Sequence, residues 1–356
     1  MPNLATQLIR WQTQHGRHHL PWQGTRDPYA IWLSEIMLQQ TQVITVIPYY
    51  QRFIQRFPDI ERLALATQDE VLTYWSGLGY YSRARNLSLA TQIIMQDYQG
   101  DFPQSIALIQ QLPGIGRSTA AAIAVFAFGQ YAAILDGNVK RVFTRYFGID
   151  GYPGKADVQK QLWHKANACL PEKNVNQSIE TYTQALMDLG SMICTRSKPH
   201  CTDCPLQHNC IAYRNNLTGK LPSPKPRTKL PEKETIFLLL IKQDKILLEK
   251  RPNTGIWGGL WCPLEMPADE NSITHCQKNY GLSVKSIGDI PPMDHRFTHF
   301  KLRIHPHLLQ VISPVDTLDK KGKWITLDDA LASAIPAPVK KLFKHALLTD
   351  LVKANA

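Results

Sequence analysis

The sequence predicts an all-α half followed by an α+β half, and three observations carry that prediction. Over residues 4–213 apolar side chains recur at three- and four-residue spacing between Pro and Gly breaks, as in Ile31, Ile36, Leu38 and Val43, and again in Leu87, Ala90, Ile93 and Ile94. Residues 220–234, KLPSPKPRTKLPEKE, hold four prolines and few apolar side chains, the composition of an extended, semi-rigid connector. Beyond it, residues 235–242 and 245–250 are short apolar runs parted by Gln243-Asp244, a tight-hairpin pattern. Thr298, Phe300, Leu302 and Ile304 then alternate with His299, Lys301, Arg303 and His305, the period of a half-buried strand. Helices are expected over 269–280 and 328–348. The expected division is therefore a helical domain over 1–214, a linker over 215–234 and an α+β domain over 235–356.

Length and composition agree with this division. A chain of 356 residues exceeds one compact core and corresponds to about two domains. With 44% apolar and 19% charged residues it is neither disordered nor fibrous. The longest apolar runs, 120–128 and 236–241, fall short of the ~20 residues that span a bilayer. Residues 1–22 mix Gln, His and Arg through their apolar positions, so no signal peptide is expected and the chain should stay in the cytoplasm. The net charge of +11 is spread along the chain, as 19 Lys and Arg against 15 Asp and Glu in 1–214, 5 against 2 in 215–234, and 16 against 12 in 235–356. A basic surface without a basic tail suits a nucleic-acid partner, although enzymes of small substrates are often basic too.

Five segments carry chemistry. Cys194, Cys201, Cys204 and Cys210 lie within seventeen residues, with gaps of six, two and five. Four soft thiolates so close can wrap one metal centre. A structural zinc usually takes two tight pairs, so an iron–sulfur cluster fits the spacing better. Residues 112–119, LPGIGRST, place two glycines before a small-residue helix; the turn lets the backbone approach a phosphate and the helix offers it free N–H groups. This is a helix-hairpin-helix grip, or else a plain helical turn. Asp136 opens the next helix in ILDGNVKRV, about twenty residues on, as an N-cap or as an element aimed at a nucleotide held by the hairpin.

The remaining two segments frame that nucleotide. Glu35 sits in WLSEIMLQQTQ, one carboxylate among apolar residues with Gln39 one turn on. Burial would raise its pKa and keep it protonated, able to donate; otherwise it is an exposed residue of an amphipathic helix. Residues 77–85, GLGYYSRAR, interleave aromatics with arginines, a composition for wedging bases and holding phosphates.

Taken together, these motifs, with LPW at 20–22 and MDLGSMICTRSKP at 187–199, resemble the helix-hairpin-helix DNA glycosylases with an iron–sulfur cluster, and specifically the adenine DNA glycosylase (MutY) family. The resemblance implies an all-α helix-hairpin-helix glycosylase domain, made of two helical modules with DNA between them and an Fe–S loop at 194–210. It further implies a [4Fe–4S] cluster on Cys194, Cys201, Cys204 and Cys210, and an α+β Nudix-like domain behind the linker. Related endonuclease III-type enzymes place a nucleophilic Lys two residues after the second hairpin glycine; here Ser118 stands there, so base removal by water without strand cleavage is implied. Lys140 is the nearby amine that could trap an opened sugar as a side reaction. Residues 265–279 lack the clustered glutamates of a Mg²⁺-dependent Nudix hydrolase, so this domain should bind and not cut.

Residue by residue, the resemblance makes Glu35 the acid that protonates adenine N7 and Asp136 the carboxylate that stabilises the oxocarbenium sugar. Gln39 and Tyr80 would intrude into the duplex as the adenine flips. Gly114, Gly116, Ser118 and Asn138 would contact DNA, and Gln184 would read the adenine edge beside Trp22 and Leu38. Phe297-Thr298-His299 corresponds to a Phe-Ser-His loop that recognises 8-oxoguanine, with Thr in place of Ser. The implied partner is double-stranded DNA bearing an A:8-oxoguanine or A:G mispair, acted on by a monomer with no membrane association. A glycosylase for thymine or an oxidised pyrimidine, and a mismatch-binding protein without activity, are the competing readings.

Overall fold

The computed structural model describes residues 3–172, 178–226, 229–312, 322–345, 348 and 350. Its contacts divide the chain into two units, Met1–Leu65 with Asn86–Arg227, and Ala66–Arg85 with Thr228–Ala356. The chain runs through helices α1 (Leu4–His15), α2 (Pro28–Leu38), α3 (Val43–Arg56), α4 (Ile60–Ala64), α5 (Gln68–Trp75), α6 (Ser82–Tyr98), α7 (Ile106–Ile109) and α8 (Arg117–Phe128). It continues with α9 (Gly137–Tyr146), α10 (Ala156–Ala168), α11 (Ile179–Asp188) and α12 (Ile211–Arg214). No strand is found before residue 232 among the described residues, as the apolar spacing predicts.

Local chemistry starts most of these helices. Asn3, Asp27, Asp59, Thr67, Ser105, Asp136 and Ser178 each cap a helix by accepting from a backbone N–H of its first turn. In the first unit α8 is the central element. Its run of alanines, with Ala120, Ala122, Ala124 and Val125 almost fully buried, lets α2, α7 and α11 approach closely. Leu8, Val125, Phe143, Leu162, Tyr182 and Ala185 from five helices share the core beside it. One turn of π-helix, Leu189–Ile193, follows α11 and leads into the cysteine loop.

The second unit is built on a mixed sheet. Strands β1 (Glu232–Lys242), β2 (Lys245–Lys250), β3 (Trp261–Cys262), β4 (Leu264–Met266), β5 (Val284–Asp289), β6 (Met293–Arg296), β7 (Lys301–Val311) and β8 (Lys323–Thr326) are joined in the order β3-β2-β1-β7-β5. β4 also pairs with β1, β6 with β7 and β8 with β2. β1 and β7 run parallel and every other pairing is antiparallel. Leu238, Leu240, Leu247, Leu264, Leu309 and Val311 form its core with Cys276 from α13 (Ser272–Tyr280).

The expected hairpin is present: Lys242 pairs with Lys245 around Gln243, whose φ of 53° gives the left-handed turn. Three expectations are corrected. The helix expected over 328–348 is two helices, α14 (Leu327–Ala332) and α15 (Ala337–Phe343), because Pro336 cannot continue α14 and instead starts α15. The alternating strand begins at Lys301, since residues 298–300 form the turn from β6. The connector is shorter than expected: Leu221 is buried, its carbonyl accepts from Arg145, Ser223 bonds Asp150, and Glu232–Glu234 already belong to β1. Charged and proline-rich composition marks where chain crosses open surface, but a single buried Leu is enough to pin its start to the helical unit.

The close approach to α8 sets an expected outcome. Ala124→Leu overpacks a position with no accessible surface and should cost about 1–3 kcal/mol of stability. A denaturant midpoint shift measures it, and no shift would mean that α8 is not packed as described.

Candidate active site

Two carboxylates converge in the helical unit. α2 begins at Asp27, which caps Tyr29 N, with Pro28 in the first position, and it is apolar on nearly every face, so Glu35 is carried into the interior. Glu35 keeps partial access through a cleft of about 520 Å³ that it lines with Trp22, Leu38, Arg17, Gln184 and Phe126. The surroundings of its carboxyl are protein. Burial first, and the charge of Asp136 second, push its pKa from an ordinary 4.5 up to about 8.

Asp136 is held differently. Its Oδ1 accepts from Val139 N at 2.7 Å, so the N-cap reading of this residue is correct, yet it also stands beside Glu35. Burial raises its pKa above 3.8, while the N–H groups of Val139 and Asn138 and the charges of Arg141 and Lys140 pull it back down. The coupling runs one way. Asp136 titrates while Glu35 is still neutral and feels no charge from it, whereas Glu35 titrates against an Asp136 already ionised.

Three links fix Asp136 in place. Ser118, on the first turn of α8, accepts from Leu135 N at 2.9 Å, so its hydroxyl ties the segment leading to Asp136 onto the hairpin helix. Arg141 donates to Asn138 Oδ1 at 2.8 Å, to the Gly190 carbonyl at 2.5 Å and to the Cys194 carbonyl at 2.7 Å, joining the first turn of α9 to the π-turn. Gly190 is a glycine for a steric reason: a Cβ there would lie 2.6 Å from Asn138 Cβ. Sequence reasoning missed the roles of Arg141 and Gly190, because both act on residues about fifty positions away.

The hairpin lies in the same unit. Gly114 takes φ +81°, which favours glycine, and a Cβ there would also press on Asn86 at 3.0 Å. Gly116 caps α8, and nothing lies within 4 Å of where its Cβ would be. Gln39 donates to the Gly114 carbonyl at 3.3 Å, which brings it to the hairpin. Trp22 packs edge-on against Tyr50, with ring centroids 5.3 Å apart.

Tyr80 belongs with the other unit. It is 44% exposed at φ +48° and lines a pocket with Trp257, Phe297, Thr298 and His299. Phe297 stacks on Phe300 at 4.6 Å and tilts against Trp257 at 5.2 Å, while Thr298 and His299 are exposed. In α13 the nine residues SITHCQKNY contain no acidic side chain.

Cys194, Cys201, Cys204 and Cys210 line one cavity walled by Val142, Leu189, Ile193 and Leu206. Burial first, then neighbouring thiolates, raise Cys201, Cys204 and Cys210, with Cys204 pushed up to about 12. Four thiolates cannot coexist there without a cation to offset them. Arg145, itself buried, donates to Cys194 Sγ at 3.4 Å and to the carbonyls of Thr195 and Arg196. Among the described residues no three His, Cys, Asp or Glu form a group for a single metal ion. No helix among them is long and apolar enough to cross a membrane.

A helical unit with this hairpin and paired carboxylates, followed by a mixed sheet with its helices, defines a base-excision glycosylase carrying a Nudix-like domain. Residues 33–168 match the HhH-GPD superfamily of base excision DNA repair proteins and residues 235–345 match the NUDIX domain. The chain belongs to the adenine DNA glycosylase family: it is 40% identical over 351 residues to the adenine DNA glycosylase of Buchnera aphidicola subsp. Baizongia pistaciae, covering 98% of this chain and 96% of that one. The Homo sapiens adenine DNA glycosylase is 31% identical, over 95% of this chain and 72% of its own. The structure of a thermostable thymine-DNA glycosylase matches with 30% identity and a TM-score of 0.53, over 59% of this chain and 95% of that chain.

The Glu35 environment sets a pH dependence. The folded carboxyl holds its proton up to about pH 8, the unfolded one only to 4.5, so folding retains a proton between these values. Stability contributed by the neutral acid is complete below 4.5 and is lost as pH rises through that window, by at most about 1.4 kcal/mol per unit. Glu35→Gln should flatten the fall in melting temperature between pH 5 and 8 relative to wild type. Parallel wild-type and variant profiles would show that the carboxyl is not desolvated.

Proposed function

We propose that this chain is a monofunctional glycosylase that removes adenine mispaired with 8-oxoguanine, or with guanine, from duplex DNA. The observation that carries the reading is Glu35, protonated up to about pH 8 at the wall of a cleft and coupled to Asp136. A flipped adenine entering this cleft meets a neutral acid and, beyond it, a carboxylate whose negative charge is offset by backbone N–H groups and by Arg141 and Lys140.

Adenine departs poorly as an anion, so Glu35 donates its proton to N7 as the glycosidic bond lengthens and the base leaves neutral. The electron pair of that bond goes with the base, leaving an oxocarbenium sugar. Asp136 stabilises the cation, and water adds at the anomeric carbon while giving its proton to the Glu35 carboxylate left by the first transfer, which restores the acid. Ser118 supplies no amine, and its hydroxyl is engaged with Leu135 N, which supports hydrolysis without strand cleavage. The open space at Gly116 and the free N–H groups of α8 support a phosphate contact by the hairpin, with Gln39 beside it and Asn138 on α9.

Gln184, Trp22 and Leu38 line the Glu35 cleft and read the base. Tyr80 with Phe297, Thr298 and His299 forms an aromatic-walled recess suited to the opposite base, 8-oxoguanine. The absence of acidic residues on α13 supports recognition and not pyrophosphate cleavage.

A [4Fe–4S] cluster on Cys194, Cys201, Cys204 and Cys210 fits the donor set: soft thiolates, apolar walls and the Arg145 guanidinium beside one sulfur. When bound, it supplies a crosslink that holds residues 194–210 in shape, presenting Arg196 and Lys198 to phosphates. Cys204→Ser should lose most iron and sulfide and lower the melting temperature. One zinc per chain without sulfide would overturn the cluster assignment.

Single-turnover assays on A:8-oxoguanine, A:G and G:T duplexes test the activity. Glu35→Gln and Asp136→Asn should each lower adenine release by about 10²–10⁴-fold, with strand breaks appearing after alkali treatment alone. Full activity in either variant, thymine release in place of adenine, or binding without base release would refute the reading.

A further inference from the structure

Asp188 lies at the end of α11 with no accessible surface. Its carboxylate takes four donors. Oδ2 accepts from Arg17 N at 2.9 Å, and Oδ1 accepts from Arg17 Nε at 2.7 Å, from Arg17 Nη2 at 2.6 Å and from Gln184 Nε2 at 2.9 Å. Arg17 and Gln184 both line the cleft that holds Glu35, whereas Asp188 stands behind it.

We infer that Asp188 is a positioning residue that fixes the amide of Gln184, so that its carbonyl oxygen, and not its NH₂, is the polar group offered to the base. A primary amide has a donor end and an acceptor end. Turning the Gln184 amide over would set its oxygen lone pairs against a buried carboxylate that has only lone pairs of its own. The amide is thereby locked with its nitrogen inward. Gln184 itself is half-buried and faces the cleft, which leaves Oε1 as the end a ligand meets.

The consequence is selectivity for a base whose exocyclic 6-substituent is a hydrogen-bond donor. The exocyclic amine of adenine is a donor. Hypoxanthine, which carries a carbonyl oxygen at that position, would face Oε1 with a second acceptor, and such a mismatch in a desolvated site is costly. Glu35 does not make this distinction, since it donates to a ring nitrogen that both bases possess. This inference rests on the adenine-excision reading and adds to it the element that sets base identity.

The test compares single-turnover release of adenine and of hypoxanthine, each opposite 8-oxoguanine, by wild type and Asp188→Asn. An asparagine offers both a donor and an acceptor to Gln184, so either orientation of the amide becomes available. The adenine-to-hypoxanthine rate ratio should fall by about tenfold or more, the scale of one exchanged hydrogen bond. An unchanged ratio, whether or not both rates drop together, overturns the inference, because a merely structural loss slows both substrates alike.

If Asp188→Asn does not fold, wild type labelled with ¹⁵N-glutamine decides the matter, Gln184→Leu identifying the resonance. The Gln184 NH₂ should exchange with solvent much more slowly than exposed glutamine amides, and equal exchange overturns the lock. Failure of wild type to release adenine at all would instead refute the adenine-excision reading, and the exchange measurement would still stand on its own.

Discussion

Every feature of the site follows from taking two carboxylates out of water side by side and giving only one of them the means to stay charged. Desolvation disfavours both anions. Asp136 alone receives compensation, from the backbone N–H groups that open α9 and from Arg141 and Lys140. Glu35, on an apolar helix, receives none and keeps its proton. The same burial thus produces an acid and an anion, and the asymmetry comes from where each residue sits in its helix. A carboxylate at an N-terminus meets orphan donors; one in mid-helix meets carbonyls already bonded and side chains that cannot donate.

That asymmetry depends on geometry held over a long span of chain. Asp136 stands beside Glu35 only while the first turn of α9 is held in place, and this turn is clasped from two sides. Ser118 holds the residue before it, and Arg141 binds it to the π-turn and the Cys194 backbone. Gly190 allows the approach, since any larger residue would meet Asn138. A run of small residues in α8 and a single glycine after α11 therefore do the same work at different points: they trade side-chain volume for backbone proximity. Anything that orders residues 194–210 also acts on this clasp, because the Cys194 carbonyl is one of its acceptors.

The sequence made the two carboxylates legible and left the residues that hold them hidden. Glu35 and Asp136 stood out because each breaks a local pattern, an acid within an apolar helix and an Asp ahead of a basic one. The hairpin glycines and the cysteine spacing are similarly local. Asp188 could not be found that way: its partner Arg17 is 171 residues distant, and an Asp near a helix end reads as an ordinary surface residue. Ser118 was legible as the absence of an amine, but not as the donor's partner that anchors Leu135. The helix expected over 328–348 failed because the apolar spacing carries across Pro336, although the missing N–H of that proline ends one helix and starts another. The connector was overextended at both ends for a related reason, since composition averages over residues while anchoring depends on one Leu and one hydrogen bond.

The Nudix-like unit makes the complementary point about carboxylates. A pyrophosphatase of this architecture needs several of them on one helix to hold Mg²⁺ with little else to neutralise it. Here α13 carries none, and two acids nearby, Glu265 and Glu270, are already committed. Glu265 is bound by Arg251 and by the Thr235 hydroxyl, and Glu270 pairs with His275. Each such pairing stabilises the sheet or its helix and at the same time withdraws a ligand from any cation. What the unit offers instead is a recess lined by Tyr80, Trp257 and Phe297, flanked by the hydroxyl of Thr298 and the imidazole of His299. Planar faces beside a hydroxyl and an imidazole suit a base far better than a metal-bound diphosphate. At the Glu35 cleft acidity is kept in the opposite way, with a proton on one carboxyl and with backbone N–H groups and cations around the other.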